Sequence, residues 1–163
     1  LQAMKATLVD LRKAVAIAEA AEQWWMERSR AAESELVKWQ ARLVDIDSEQ
    51  ELRKNVQRVV AALKRDASSA MSGLSESSAI ANGCRDQYQD CCVAMTVARR
   101  AAEAYRYDTS GLGLELDDID EASIKAAASD NFRRSMPEDP EDEQRAFLET
   151  LFERRARSRA ALN

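Results

Sequence analysis

The sequence predicts an all-α protein: a long antiparallel helical hairpin with coiled-coil-like packing, followed by two shorter C-terminal helices. Apolar residues recur at alternating steps of three and four over residues 1–46, which is the period of one helix face. Charged residues make up 33% of the chain, with only four glycines and two prolines, and this composition favours long helices over β structure. Neither Gly nor Pro occurs before Gly73, so nothing interrupts the first helix.

The first helix is predicted over residues 1–46. Twelve of the fourteen positions on its seam are apolar, and the seam comprises Leu1, Met4, Leu8, Leu11, Val15, Ala18, Glu22, Trp25, Ser29, Ala32, Leu36, Trp39, Leu43 and Ile46. An apolar stripe of this length needs a partner helix along it. Glu19 and Glu22 are both expected on a solvated surface. Because Glu22 also lies on the seam, where an unpaired charge is costly to bury, the alternative for it is a pair with a basic residue across the hairpin. Leu1 is already a position of the apolar seam, which is expected of a processed or trimmed chain.

A tight turn is predicted at about residues 45–49, with Asp47 or Ser48 as the N-cap of the next helix. The alternative is that the two helices continue as one. The second arm of the hairpin is predicted over 49–107, and its seam begins with Leu52, Val56, Val59 and Leu63.

The seam of the second arm then slips by one residue, which is a stutter. It resumes at Ala67, Ala70, Leu74, Ser77, Ala81, Cys84, Tyr88, Cys91, Met95, Ala98, Ala102 and Tyr105. Residues 68–83 are rich in Ser and Ala and include Gly73 and Gly83, each of which weakens a helix. Two alternatives follow: the small residues let a neighbouring helix approach closely, or the helix breaks here.

The hairpin is predicted to end in the stretch Asp108–Gly113, where a glycine can supply a left-handed C-cap. This divides the chain into a hairpin, residues 1–110, and an acidic linker with C-terminal helices, residues 111–163, that pack on the hairpin or on a partner. Residues 114–121 alternate acidic and apolar side chains. Their carboxylates are of the kind that bind calcium, but the spacing of an EF-hand loop is absent. An acidic helix start leading into 122–134 is therefore favoured over a calcium site.

The last helix is predicted to begin at Asp139-Pro140, as N-cap and first helical residue. Its apolar residues form one compact patch, Phe147, Leu148, Leu151 and Phe152. We expect this patch to dock on the hairpin. Otherwise it is a helix-in-groove element that binds another chain.

Charge and residue types exclude several functions. Residues 1–110 carry sixteen basic and sixteen acidic groups, whereas residues 111–163 carry eight basic and thirteen acidic groups, so no basic footprint for nucleic acid exists. The chain has no His and none of the common catalytic or phosphate-binding motifs. We therefore predict a protein that is not an enzyme and has no catalytic residues, cofactor or metal.

The cysteines Cys84, Cys91 and Cys92 do not form a disulfide framework, because they are odd in number and lie in one helical stretch. We expect reduced, buried thiols that serve packing rather than a redox or metal site. This predicts a reducing compartment, either cytoplasm or plastid stroma. No run of eighteen apolar residues exists, so no transmembrane segment is predicted, and the first residues do not resemble a signal peptide.

The tryptophans are the strongest candidates for a binding surface. Trp25 and Trp39 lie on the seam two heptads apart, and Trp24 precedes the first of them. One interpretation is packing in the core. The other is a patch that docks on a membrane protein or a pigment-bearing complex, because Trp brings a large area and an N–H that needs a partner.

Residues 4–65 contain a set of residues that also marks a known family of helical hairpins: Met4, Leu8, Leu11-Arg12, the alanines 14, 16 and 20, Trp39 with Arg42, and Glu51-Leu52-Arg53 after the turn. On these residues the segment resembles the family of phage-shock protein A and the plastid vesicle-inducing protein. The resemblance implies an ESCRT-like helical hairpin that assembles side by side with copies of itself on a membrane surface, without catalysis.

The predicted function is that of a non-enzymatic helical scaffold at the periphery of a membrane. Its partners are expected to be proteins or its own copies, bound through the helical seam, with peripheral membrane contact and no nucleic acid. The alternative is an accessory or linker subunit of a photosynthetic or respiratory membrane complex, with Trp24, Trp25, Trp39 and the Phe147–Phe152 patch as contact points. A third hypothesis is an enzyme or metal-binding bundle.

Overall fold

The computed structural model describes residues 1–46, 49–110, 119–136 and 142–161. These residues form four helices and no strand: α1 (Gln2–Val44), α2 (Gln50–Ala104), α3 (Glu121–Arg134) and α4 (Asp142–Ala161). Helices α1 and α2 pack together, so the predicted all-α hairpin with two shorter C-terminal helices is confirmed. The predicted caps at Asp47 or Ser48 and at Asp139-Pro140 lie outside the described residues.

The predicted seam of α1 is the face that α1 buries. All fourteen seam positions are buried or half-buried, and Leu8, Val15 and Trp39 are among the most completely enclosed side chains. On α2 the same holds for every predicted position except Tyr105. The seam spacing identifies the core correctly because both helices are regular and pack along their whole apolar stripes.

Helix α2 runs without a break through Gly73 and Gly83, which decides between the two alternatives for this stretch. Gly73 lies against the indole of Trp25: a Cβ built on Gly73 would lie 2.6 Å from three ring carbons. A side chain of any size would therefore overlap the ring. No atom lies within 4 Å of the corresponding Cβ at Gly83.

Helix α2 ends earlier than predicted, at Ala104, and a glycine does not cap it. Arg106 adopts a left-handed conformation with φ of 59°. The Tyr107 amide donates to the Ala102 carbonyl (3.0 Å) and the Arg106 amide to the Glu103 carbonyl (2.9 Å), which is the Schellman arrangement. The seam position Tyr105 is exposed because it lies beyond the last helical residue.

Helix α3 has the acidic start that the sequence favoured. The Asp120 side chain accepts hydrogen bonds from the Ser123 amide (3.0 Å) and the Ser123 hydroxyl (2.6 Å), so it acts as the N-cap. The rest of the alternating segment, residues 111–118, lies outside the described residues. On α4, Asp142 and Glu143 occupy the first turn and Arg159 the last, which complements the helix dipole.

The chain divides into two compact units. Unit 1 comprises Leu1–Arg28 and Met71–Ser135, so it contains the first part of α1, the second part of α2 and α3. Unit 2 comprises Ser29–Ala70 and Met136–Asn163, which brings the other parts of α1 and α2 together with α4. The two C-terminal helices therefore belong to different units.

Within unit 1, α3 contacts α1 through an ion pair and an aromatic contact. Arg12 pairs with Glu121 at 2.5 Å, and the rings of Trp24 and Phe132 lie 6.0 Å apart. Within unit 2, α4 inserts Leu148 into a core formed by both hairpin arms, whose buried members include Trp39, Ile46, Leu52, Val56, Val59, Val60 and Leu63. Among the described residues, no helix is both long enough and apolar enough to span a bilayer.

Candidate functional site

Trp39, one of the predicted interaction residues, is fully buried in unit 2. Its ring meets Phe152 edge to face at 6.0 Å, and its Nε1 donates to Glu35 at 3.2 Å. The Arg42 guanidinium lies 4.6 Å from the Trp39 ring and 4.8 Å from the Phe152 ring, and it pairs with Glu149 at 2.7 Å. Trp39 thus holds α4 on the hairpin and has no surface to offer a partner.

Trp24 and Trp25 lie in unit 1 and are both half-buried. Their rings meet edge to face at 4.7 Å, and Arg28 lies 5.6 Å above Trp24. Trp24 faces Phe132 of α3, and Trp25 packs on Gly73. Most of the area that each indole carries is therefore used to pack α1 against α2 and α3.

The apolar patch of α4 is divided between the core and the surface. Leu148 is buried, and Leu151 and Phe152 are half-buried against the core of unit 2. Phe147 is not part of this core, and its side chain is 67% exposed. The patch therefore docks on the hairpin, and Phe147 is its one solvent-facing member.

Phe147 borders a groove beside α4 with a volume of about 660 Å³, which we call the α4 groove. It is lined by Glu49, Phe147, Thr150, Leu151, Arg154, Arg155, Ser158 and Arg159. Arg155 pairs with Glu49 at 2.8 Å. Arg154 and Arg159 form no ion pair with the described residues. The α4 groove thus joins an apolar end to a cationic end, which suits a ligand surface that carries negative charge.

A second exposed surface lies on the last part of α2. Val93 is 53% exposed and Val97 is 61% exposed, although both are large apolar residues on a helix. With three exposed alanines they form what we call the α2 strip: Val93, Ala94, Val97, Ala101 and Ala104. The opposite face of the same segment is the seam, where Met95 is buried and Ala98 and Ala102 are half-buried. This part of α2 is therefore apolar on two opposite faces, and the residues that the structure describes cover one of them.

The α2 strip is not among the predicted surfaces, although the sequence carries a signal for it. Val93, Val97, Ala101 and Ala104 follow the same three-and-four spacing as the seam, displaced by about half a turn. A prediction of one seam on each helix leaves this second stripe out.

Four ionisable groups and a serine form a network in unit 1. Arg85 pairs with Glu22 at 2.9 Å and with Glu19 at 3.3 Å, and Lys125 pairs with Glu19 at 2.7 Å. The Ser78 hydroxyl donates to Glu22 at 2.8 Å. For Glu22 the structure shows the alternative, a pair with a basic residue across the hairpin. The expectation that Glu19 is merely solvated is wrong, because α3 brings Lys125 to it and α2 brings Arg85.

The hydrogen bond from Lys125, followed by that from Arg85, lowers the pKa of Glu19. Hydrogen bonds from Arg85 and Ser78 likewise lower the pKa of Glu22. Both carboxylates are therefore ionised at neutral pH and engaged with cations. This chemistry joins three helices and provides no proton donor near pH 7.

The cysteines are free thiols, and each is half-buried rather than fully buried as predicted. Cys84 and Cys91 lie on the seam of α2, and Cys92 follows next to it. The part of the chain that the structure describes contains no group of three or more Cys, Asp or Glu placed to hold a metal ion.

Comparison with protein-family models, with known proteins and with solved structures finds no match to this chain. The resemblance of residues 4–65 to the phage-shock protein A family stays a prediction. The α4 groove and the α2 strip are therefore the features that bear on function.

Proposed function

We propose that this chain is a non-enzymatic helical scaffold that binds protein partners or its own copies at the periphery of a membrane or membrane assembly. The observation that supports this proposal is the α2 strip. A helix that is apolar on two opposite faces is normally covered on both. In this chain the seam of α1 is occupied by α2, so the partner surface is an outward face of the hairpin.

The α2 strip has the chemistry of a helix-docking surface. Val93 and Val97 lie one helical turn apart and supply the apolar contact, while the alanines allow a second helix to approach closely. Asp86 and Asp90 precede the strip, and Arg100 lies within it, all exposed. Charges at the rim of an apolar patch select the partner and its orientation.

The α4 groove favours membrane contact as a second binding activity. Its arginines offer charge-assisted hydrogen bonds to phosphate or carboxylate oxygens, and Phe147 can enter an apolar layer. A reducing compartment is part of the same proposal, since the cysteines are free thiols. The alternative function is that of an accessory or linker subunit of a membrane complex.

Light scattering coupled to size-exclusion chromatography, over a wide range of concentration, tests the scaffold proposal. We expect concentration-dependent association that the double variant Val93→Lys/Val97→Lys abolishes. Ile80→Lys is the matched control, because Ile80 is a similarly exposed residue of α2 outside the strip. A chain that stays monomeric at every concentration and ignores liposomes would contradict the proposal.

Co-sedimentation with anionic and with neutral liposomes tests the membrane contact. The variant Arg154→Gln/Arg159→Gln should lose binding to the anionic liposomes. Arg157→Gln removes an arginine of the same helix that pairs with Glu153 and does not line the groove, so it should retain binding. Equal loss in both variants would show that net charge, and not the groove, attracts the liposome.

A further inference from the structure

We infer that the partner of the α2 strip is a second copy of the same strip, paired antiparallel about a two-fold axis near the level of Met95. This inference rests on the proposed function and names its partner. It rests on the positions of the apolar and charged side chains along α2. These side chains complement those of a second copy when the two helices run antiparallel, and not when they run parallel.

The apolar residues set the centre of the pairing. Val93 and Val97 are placed symmetrically about residue 95, two positions before it and two after it. A two-fold axis at that level sets Val93 of one copy against Val97 of the other, and the reverse. Both valines are at least half exposed in the single chain, so pairing removes apolar surface from water.

The charged residues set the direction. Asp90 and Arg100 lie five residues before and five residues after the same centre, and both are exposed. Neither forms a salt bridge within 4 Å of a described residue, and Arg100 acts on Glu103 of its own helix only as one of the neighbouring charges that, after the hydrogen bonds from Thr109 and Arg99, lower the pKa of that carboxyl. Antiparallel pairing places Asp90 of each copy beside Arg100 of the other, which gives two equivalent ion pairs at the edges of the valine contact.

A parallel arrangement places like charges together. In that register Asp90 would face Asp90 and Arg100 would face Arg100, which is unfavourable at a helix–helix contact. In the antiparallel arrangement the two Asp90 carboxylates lie about 15 Å apart along the axis, at about 1.5 Å per residue. That separation exceeds the Debye length at physiological salt, so their repulsion is screened. The neighbouring Arg99 is already engaged by Glu103 of its own helix at 3.0 Å and leaves the pairing unchanged.

Charge reversal on the full chain tests this geometry, with sedimentation equilibrium as the readout at low salt. Asp90→Arg alone and Arg100→Asp alone should each weaken self-association by about tenfold or more, since each brings like charges together. The double variant Asp90→Arg/Arg100→Asp should restore it. Glu76→Arg reverses an exposed charge elsewhere on α2 and should leave self-association within about twofold of the unchanged chain, as a surface substitution.

Mixing the two single variants gives the sharpest outcome. The D90R chain carries two cations at the sites where the R100D chain carries two anions, so the mixture should form a heterodimer although neither variant self-associates. Circular dichroism of each variant checks that the helices remain intact.

The outcomes separate this inference from the broader proposal. Self-association that depends on Val93 and Val97 but ignores the charge reversals would overturn the antiparallel pairing and leave the scaffold function standing. An effect of the single variants that neither the double variant nor the mixture reverses would overturn it in the same way. A monomer at every concentration would overturn both.

Discussion

The two units use the same arrangement of helices and stabilise it by different means. Each consists of two hairpin segments and one C-terminal helix. The core of unit 2 is built from large side chains, with Trp39 and a run of valines and leucines around it. The buried apolar residues of unit 1 are mostly alanine, joined by Leu8, Val15 and Met95.

The difference lies in what sets the position of the third helix. In unit 2, Leu148 of α4 enters the core, so burial of apolar area holds the helix. In unit 1, α3 buries only Ala128 and is located by ion pairs from Glu121 and Lys125 and by the contact of Phe132 with Trp24. Small residues let helices approach closely but contribute little area, so specific polar contacts become decisive.

The largest expected effect comes from the centre of unit 2. Trp39→Ala removes a fully buried indole together with the support for Arg42 and Phe152, and should cost about 3–5 kcal/mol of unfolding free energy. Urea denaturation measures this cost, and hydrogen exchange should show loss of protection in residues 29–70 and in α4. Val37→Ala on the same helix is exposed and should change stability by less than about 0.5 kcal/mol.

The corresponding test of unit 1 adds atoms instead of removing them. Gly73→Ala places a methyl group against the Trp25 ring and should destabilise the chain by about 1–3 kcal/mol, as overpacking does. Gly83→Ala has open space and should stabilise α2 by about 1 kcal/mol, because alanine favours the helix. Thermal unfolding of both variants tests the pair, and shifts of the same sign would contradict the close approach at Gly73.

The ion network of unit 1 predicts a dependence on pH. Because the folded-state pKa values of Glu19 and Glu22 are lowered, their contribution to stability is complete above the ordinary value of 4.5 and is lost as the pH falls through the lowered values. Glu22→Gln should cost about 1 kcal/mol or less at pH 7, since the pair with Arg85 is partly exposed.

The same variant should flatten the acid side of the stability curve, measured by urea denaturation between pH 7 and pH 3. Glu33→Gln is a useful control, because Glu33 is an exposed residue of α1. If Glu22→Gln and the unchanged chain lose stability in parallel on acidification, the network does not contribute as described.

The smallest expected effect concerns the end of α2. Arg106 holds a left-handed conformation that costs a residue with a Cβ about 1 kcal/mol, so Arg106→Gly should raise stability by up to about that amount. Arg106→Ala keeps the backbone strain while removing the side chain. If alanine stabilises as much as glycine in thermal unfolding, the gain does not come from the backbone.

Much of the fold followed from spacing alone. The apolar period located the buried face of α1, and that of α2 as far as Ala102. It also identified Glu22 as a charge that would need a partner if it were buried. These predictions depend on the geometry of a single helix, which local sequence specifies. The surface sites were harder to find, because exposure is a property of the assembled chain.

Other features depended on which helices meet. The partners of Glu19 come from two other helices, one of them α3, and sequence spacing does not reveal that convergence. Trp39 and Leu148, both expected to be interaction residues, are buried for the same reason. Helix α4 packs on the hairpin, and the contact between them removes both side chains from the surface. The C-cap at Arg106 was not predicted, because a left-handed residue at a helix end is usually a glycine and Arg106 is not one.

The sequence by itself determined the helices, their buried faces and the hairpin they form, since hydrophobic periodicity acts along one helix at a time. Only the tertiary structure decided which apolar residues stay outside. Val93 and Val97 belong to a stripe that looks like a seam on a helical wheel, and Phe147 belongs to a patch whose other members are covered. In each unit three helical segments pack together, and each of them buries one face. An apolar face that this packing leaves exposed is the surface available to a partner.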